Sequence, residues 1–199
     1  AFNVKYFVKK NITSNKWLLL INIKKKQIIM KKLVFILSIM MSLTLTQQAV
    51  AQNTIVDVAV GNEDFSTLVA ALTAADLVGA LQSDGPFTVF APTNAAFAKI
   101  DSKTLNSLLE KKNQVALANI LTYHVVPGKL VASDVVAALK KGNGSVELKA
   151  LNGQVLTVMQ KDDKIWLKDQ NGNYSEIIAT DVMASNGVIH VIDTVVMPN

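Results

Sequence analysis

The chain contains no cysteine and no arginine, and only two histidines. Without cysteine it has no disulfide framework and no thiol to carry the lipid of a bacterial lipoprotein, so buried apolar surface must hold the fold. That is feasible, because a domain of about 150 residues buries roughly 68–70% of the surface its unfolded chain exposes. The lack of arginine removes the planar, bidentate donor that phosphate contacts favour. His124 and His190 lie 66 positions apart, and neither has a metal-ligating neighbour at helical spacing. A Gly-x-Ser-x-Gly elbow, a His-Glu-x-x-His pair, a phosphate loop and a Gly-x-Gly-x-x-Gly fingerprint are all missing. The expectation is therefore no catalysis, no cofactor and no metal. A serine nucleophile with either histidine as base has no positive support.

Charge is unevenly placed. Residues 1–51 hold nine lysines and no Asp or Glu, whereas residues 52–199 carry eleven lysines against fifteen carboxylates. The formal +5 of the whole chain thus belongs to the leader, and a mildly acidic remainder without arginine excludes nucleic acid as a partner. Met30-Lys31-Lys32 followed by the apolar run Leu33 to Leu45 and by Ala49-Val50-Ala51 has the form of a signal peptide, residues 30–51, with cleavage before Gln52. As a helix the run reaches only about 20 Å, short of the ~30 Å hydrocarbon core, so a permanent membrane anchor is not expected. Residues 1–29 begin with Ala, are rich in Lys, Asn and Ile, and show no periodicity. They read as an upstream extension, with Met30 the initiator. The protein is expected to be secreted or periplasmic, with residues 52–199 as one domain and no internal linker or repeat. Sequons occur at Asn11, Asn143 and Asn173, but the leader looks bacterial and glycosylation is not expected.

Helical patterns come first. Asp64 precedes Phe65, Leu68, Val69 and Leu72, one stripe of an amphipathic helix with an acidic cap. Short apolar elements around Ile55 and Leu77 flank it. Thr93 or Asn94 is placed to cap a turn holding Ala96 and Phe97, and Ser102 a helix with Leu105, Leu108 and Leu109. A further helix aligns Leu117, Ile120, Leu121 and His124. Pro127-Gly128 is expected to end it and start a strand, and Ser133-Asp134 to open a helix through Leu139. From Ser145 the period becomes two, with turns at Asn152-Gly153, Lys161-Asp162-Asp163-Lys164 and Asn171-Gly172, and a last strand from Val188 to Val195. Helices followed by hairpins argue an α+β domain. Asp162-Asp163 reads as a solvated turn rather than a calcium site. Asp193, near a strand end, is placed to fix a loop by hydrogen bonds.

Three blocks stand out: Gly85-Pro86-Phe87-Thr88-Val89-Phe90-Ala91-Pro92-Thr93-Asn94-Ala95-Ala96-Phe97, then Leu121-Thr122-Tyr123-His124-Val125-Val126-Pro127-Gly128, then Asn186-Gly187-Val188-Ile189-His190-Val191-Ile192-Asp193. The first and last join dense apolar runs to turn residues, as strands buried on both faces do. In this order, and over Thr54 to Pro198, they resemble the fasciclin-like domain family (beta-Ig-H3/fasciclin domain). The resemblance implies a wedge-shaped β-sandwich with a bundle of short helices packed at one end. It also implies an adhesion module that binds a protein or surface polysaccharide. It marks Tyr123 and His124, and the pair Asp181-Val182, as recognition positions in animal members. Their own context has other readings. Tyr123 and His124 sit between apolar runs and suit rings hydrogen-bonded inside the fold. Asp181 suits a cap for the turn into Met183-Ala184-Ser185. A small apolar ligand, or a role in envelope stress, is a second expectation for the same scaffold.

Overall fold

The computed structural model of the chain describes Lys25 and residues 53–199. The expected upstream extension, signal peptide and cleavage position, and the Asn11 sequon, lie outside the described residues.

Helix α1, Ile55–Val60, begins with a capping box in which the Thr54 hydroxyl accepts from the Asp57 N–H and the Asp57 carboxylate accepts from the Thr54 N–H. A 3-10 turn, Glu63–Phe65, precedes α2, Ser66–Ala74. The periodic stripe is present, with Phe65, Leu68 and Leu72 buried. Asn62 opens the segment, so Asp64 falls inside the turn instead of capping it. α3 spans Val78–Gln82. Beyond the first strand, α4 covers Asn94–Ala98 and is capped by Thr93. Helix α5 covers Ser102–Leu109, capped by Asp101 and not by Ser102, because the Asp101 carboxylate accepts from the N–H groups of both Lys103 and Thr104. α6 is Gln114–Tyr123 and α7 is Ala132–Lys141.

Seven strands follow the order β2-β1-β7-β6-β5-β4-β3. They are β1 Phe87–Pro92, β2 Val125–Pro127, β3 Ser145–Lys149, β4 Val155–Lys161, β5 Lys164–Lys168, β6 Tyr174–Ala184 and β7 Gly187–Ile192. Only β1 and β7 run parallel, Val89 opposite Ile189; the other neighbours are antiparallel. Pro127-Gly128 ends β2 rather than starting it, since Val125 and Val126 already pair with Val89 and Thr88. β7 stops at Ile192 because Asp193 and Thr194 leave the ladder to bind Ser175 and Lys99. In the β4–β5 hairpin both central residues, Asp162 and Asp163, take positive φ, as a type I′ turn requires.

The long strand β6 makes one sheet behave as two. Its first three residues pair with β5, and the rest, with register slips between Ile177 and Val182, pair with β7. Bulges bend and twist a strand, and the sheet folds over here until its outer ends meet, with the Leu151 N–H donating to the Val125 carbonyl at 2.8 Å. The result is the expected wedge, close to a closed barrel. Helices cover one side of β1 and β7, where Ile55, Leu72, Phe97 and Leu121 pack on Val89, Ala91, Ile189 and Val191. The other side faces the interior of the wedge, where Phe90 and Ile192 meet Leu139, Leu156, Val158 and Leu167. Both faces of β1 and β7 are therefore buried, which is why their sequences do not alternate.

Candidate functional site

Asp181 and Val182 lie at the β6 bulge. Asp181 has φ +60, a left-handed conformation that Asp tolerates better than most residues. Its carboxylate does not cap the local turn to Ser185. It accepts from the Ala132 N–H at 2.8 Å, at the start of α7, where the N-cap residue Val131 offers no side-chain acceptor. The cap thus comes from 49 residues away in sequence. The Asp181 N–H donates to His190 Nδ1 at 3.4 Å, and His190 Nε2 lies 2.8 Å from the Leu130 carbonyl. These partners require a neutral imidazole with its proton on Nε2. The ring also packs on Phe90, centroids 5.7 Å apart. Val182 is half-buried, whereas Ile178 and Met183 on either side of the bulge are 53% and 52% exposed. Past Glu176, β5 no longer pairs with β6, so one backbone edge of residues 177–184 has no strand partner among the described residues.

Tyr123 and His124 are inside, at 0% and 2% exposure. The Tyr123 hydroxyl donates to the Val155 carbonyl at 2.8 Å, and its pKa is raised by burial and then by the charge of Asp169. His124 Nδ1 is 2.8 Å from the Ile120 carbonyl, and Nε2 accepts from the Val196 N–H at 3.2 Å. This is again a neutral pattern, here with the proton on Nδ1. Burial lowers the His124 pKa from 6.5 to about 4, against the opposing pull of the Ile120 carbonyl. Neither ring has surface to offer a partner in this structure, and neither shares a hydrogen-bond partner with Asp181. Both imidazoles spend their ring nitrogens on backbone groups, with no serine at hydrogen-bond distance. Among the described residues no cluster of three His, Cys, Asp or Glu side chains has the arrangement of a metal site.

Three polar residues organise the molecule without having been singled out for it. Buried Asp169 accepts from the Asn173 backbone and side chain and from the Met197 N–H, tying the segment after β7 to the β5–β6 turn. Asn186 accepts from the Ile55 N–H and donates to the Leu81 and Ser83 carbonyls, joining α1, α3 and the start of β7. Buried Ser175 exchanges hydrogen bonds with the Thr194 backbone. Nothing local in the sequence signals these roles, because every partner but Asn173 is distant. Asp193 does fix the loop after β7. Burial pushes its carboxyl up, but hydrogen bonds from Lys99, the Glu176 N–H and Thr194 outweigh this and leave the pKa lowered.

An apolar cavity beneath the helices, lined by Ile55, Leu72, Phe90, Leu121, His124 and Ile189, measures about 20 Å³. It holds roughly one water-sized sphere, which leaves a bound apolar molecule no room there. Two larger concavities lie at the surface. One of about 450 Å³ is bordered by Ser83, Asp84, Lys129 and Asn186. The other, about 370 Å³, is bordered by Met159, Lys161, Asp162, Trp166 and Tyr174. No helix among the described residues is long and apolar enough to cross a membrane.

The fasciclin domain profile matches residues 63–198. A Synechocystis protein is 53% identical over 145 residues, which are 73% of this chain and 73% of that protein. The transforming growth factor-beta-induced protein ig-h3 of Sus scrofa is 40% identical over 145 residues, 73% of this chain but 19% of its own length. The solved FAS1 domain pair from the insect cell adhesion molecule fasciclin I superposes with a TM-score of 0.63 at 19% identity. That likeness is one of fold, and it covers 71% of this chain and 50% of the insect chain.

Proposed function

The chain belongs to the fasciclin domain family, and from that membership we propose that it is an exported adhesion module. It binds a protein or a surface polysaccharide by contact alone, without catalysis, after its leader is removed near Gln52. The observation that carries this reading is the edge of β6, residues 177–184, which has no strand partner among the described residues, with Ile178 and Met183 exposed beside Asp181-Val182. An open strand edge offers main-chain hydrogen bonds and neighbouring side-chain contacts to a partner. Asp181 anchors the bulge through α7, and Val182 and Met183 supply contact area. Tyr123 and His124 act behind the surface, holding α6, β4 and the final segment in place. The solved relative named as a cell adhesion molecule supports the reading, as does the commitment of both imidazoles to backbone partners.

One weak contact per small domain becomes firm attachment only in many copies. Beads densely coated with the protein are therefore expected to clump, and Met183→Lys or Ile178→Lys to reduce clumping at least severalfold without lowering the melting temperature. Both side chains are more than half exposed, so a charge there costs the fold little. Beads that stay dispersed at high density, or charged variants that clump as the parent does, would count against the proposal.

A further inference from the structure

On the outer face of the β4–β5–β6 region, strand pairing aligns Met159 with Trp166 and Trp166 with Glu176. The next row aligns Thr157 with Lys168 and Lys168 with Tyr174. The opposite face of these strands carries the buried Leu156, Val158 and Leu167. Alternation calls for polar residues on the outside, yet an indole, a thioether and a phenol sit together there and border the 370 Å³ concavity with Lys161 and Asp162. That volume is within the ~300–1,000 Å³ range of small-ligand sites. Trp166 is half-buried, Tyr174 is 48% exposed, and the Lys168 ammonium lies 5.8 Å from the Tyr174 ring centre. The indole N–H is buried and has no acceptor among the described residues. A small tilt that presents it to a ligand oxygen gains a hydrogen bond without breaking one.

We infer that this concavity is a subsite for one hexose unit of a neutral polysaccharide, the C–H face of the sugar ring lying on the Trp166 indole. The inference rests on the proposed adhesion reading and names the partner and a second contact surface. Charge selects the class of ligand. Lys161, Lys164 and Lys168 are matched by Asp162, Asp163 and Glu176, and Lys164 is already paired with Glu176 at 2.8 Å. No net field remains to attract a sulfated chain or an acidic peptide. Sugar hydroxyls both donate and accept, which suits a border that offers both an ammonium, Lys161, and a carboxylate, Asp162. A peptide strand gains little here, because β5 is paired on both sides and the concavity opens on a sheet face rather than an edge.

The test uses the full chain carrying Trp17→Phe, so that Trp166 is its single tryptophan. Titration with cellohexaose and with maltohexaose is followed by fluorescence and by calorimetry. A saturable change in Trp166 emission is expected with at least one of them, with affinity at least tenfold weaker by calorimetry in Trp166→Ala. Tyr174→Ala, at an exposed position, weakens binding severalfold while leaving the urea midpoint unchanged. This keeps the test decisive where Trp166→Ala fails to fold. Flat titrations with both sugars, unchanged affinity in Tyr174→Ala, or binding confined to dextran sulfate would overturn the inference. Bead clumping that is lost in Met183→Lys while both titrations stay flat overturns this inference and leaves the adhesion reading standing. Saturable titrations without clumping support this inference and count against the β6 edge as the adhesive surface.

Discussion

Lowering the pH from 7.5 to 5 charges His124 in the unfolded chain but not in the native protein. The folded imidazole sits among Leu121, Phe90 and Ile189 at the apolar cavity, with its acceptor nitrogen on the Val196 N–H. Protonation would bury a charge and set a donor against a donor. Its pKa accordingly falls from 6.5 to about 4, with burial the chief cause. Between those values the unfolded state binds the proton that the native state refuses, so stability decreases as the pH decreases. The contribution is complete above pH 6.5 and is lost as the pH falls towards the folded value. The full gap corresponds to about 3 kcal/mol, of which roughly 2 kcal/mol is gone by pH 5. Asp57 and Asp193, whose pKa values are lowered below 3.8, lose their contribution only at more acid pH and stay out of this window. In urea titrations, a loss of 2 kcal/mol is a midpoint shift of about 1 M for a slope near 2 kcal/mol/M. His124→Asn is expected to be less stable at pH 7.5 but to lose most of the pH dependence. A urea midpoint constant from pH 7.5 to 5, or a nuclear magnetic resonance titration placing native His124 near 6.5, would refute the reasoning.

Two other substitutions probe the hinge of the fold. A Cβ on Gly187 would collide with the Phe87 carbonyl oxygen and approach Ile55 Cδ1 to 2.8 Å. Gly187→Ala must therefore part β1 from β7, and calorimetric melting should show a loss of about 3 kcal/mol or outright failure to fold. Asn186→Ala leaves the Ile55 N–H and two carbonyls without their partner. Hydrogen exchange at Ile55 should accelerate, with about 1–3 kcal/mol lost in urea unfolding.

Much of the architecture could be read locally. The stripe Phe65, Leu68, Leu72 forecast a helix, and the Asp162-Asp163 pair forecast a hairpin because both residues tolerate positive φ. Errors gathered at element ends, where neighbours compete for one role. Asp101 took the cap expected of Ser102 because its carboxylate reaches two N–H groups. The apolar surroundings of Tyr123 and His124 pointed inward, and both rings are indeed internal. For Asp181, only a local cap could be imagined from its neighbours, and the bond made is to another element.

Composition and pattern alone determined that a cysteine-free domain would be built on two strands with no solvent-facing side. A continuous apolar run such as Val188-Ile189 can lower its free energy only by burial on both faces. Which residues meet was decided by the folding-over of β6 and by strand register. That bend brings Asp181 to α7, while ladder register sets Trp166 beside Met159 and near Tyr174 on an outer face. Hydrogen bonds and packing act over a few ångströms in space, and the bend and the register, not distance along the chain, set which groups come that close.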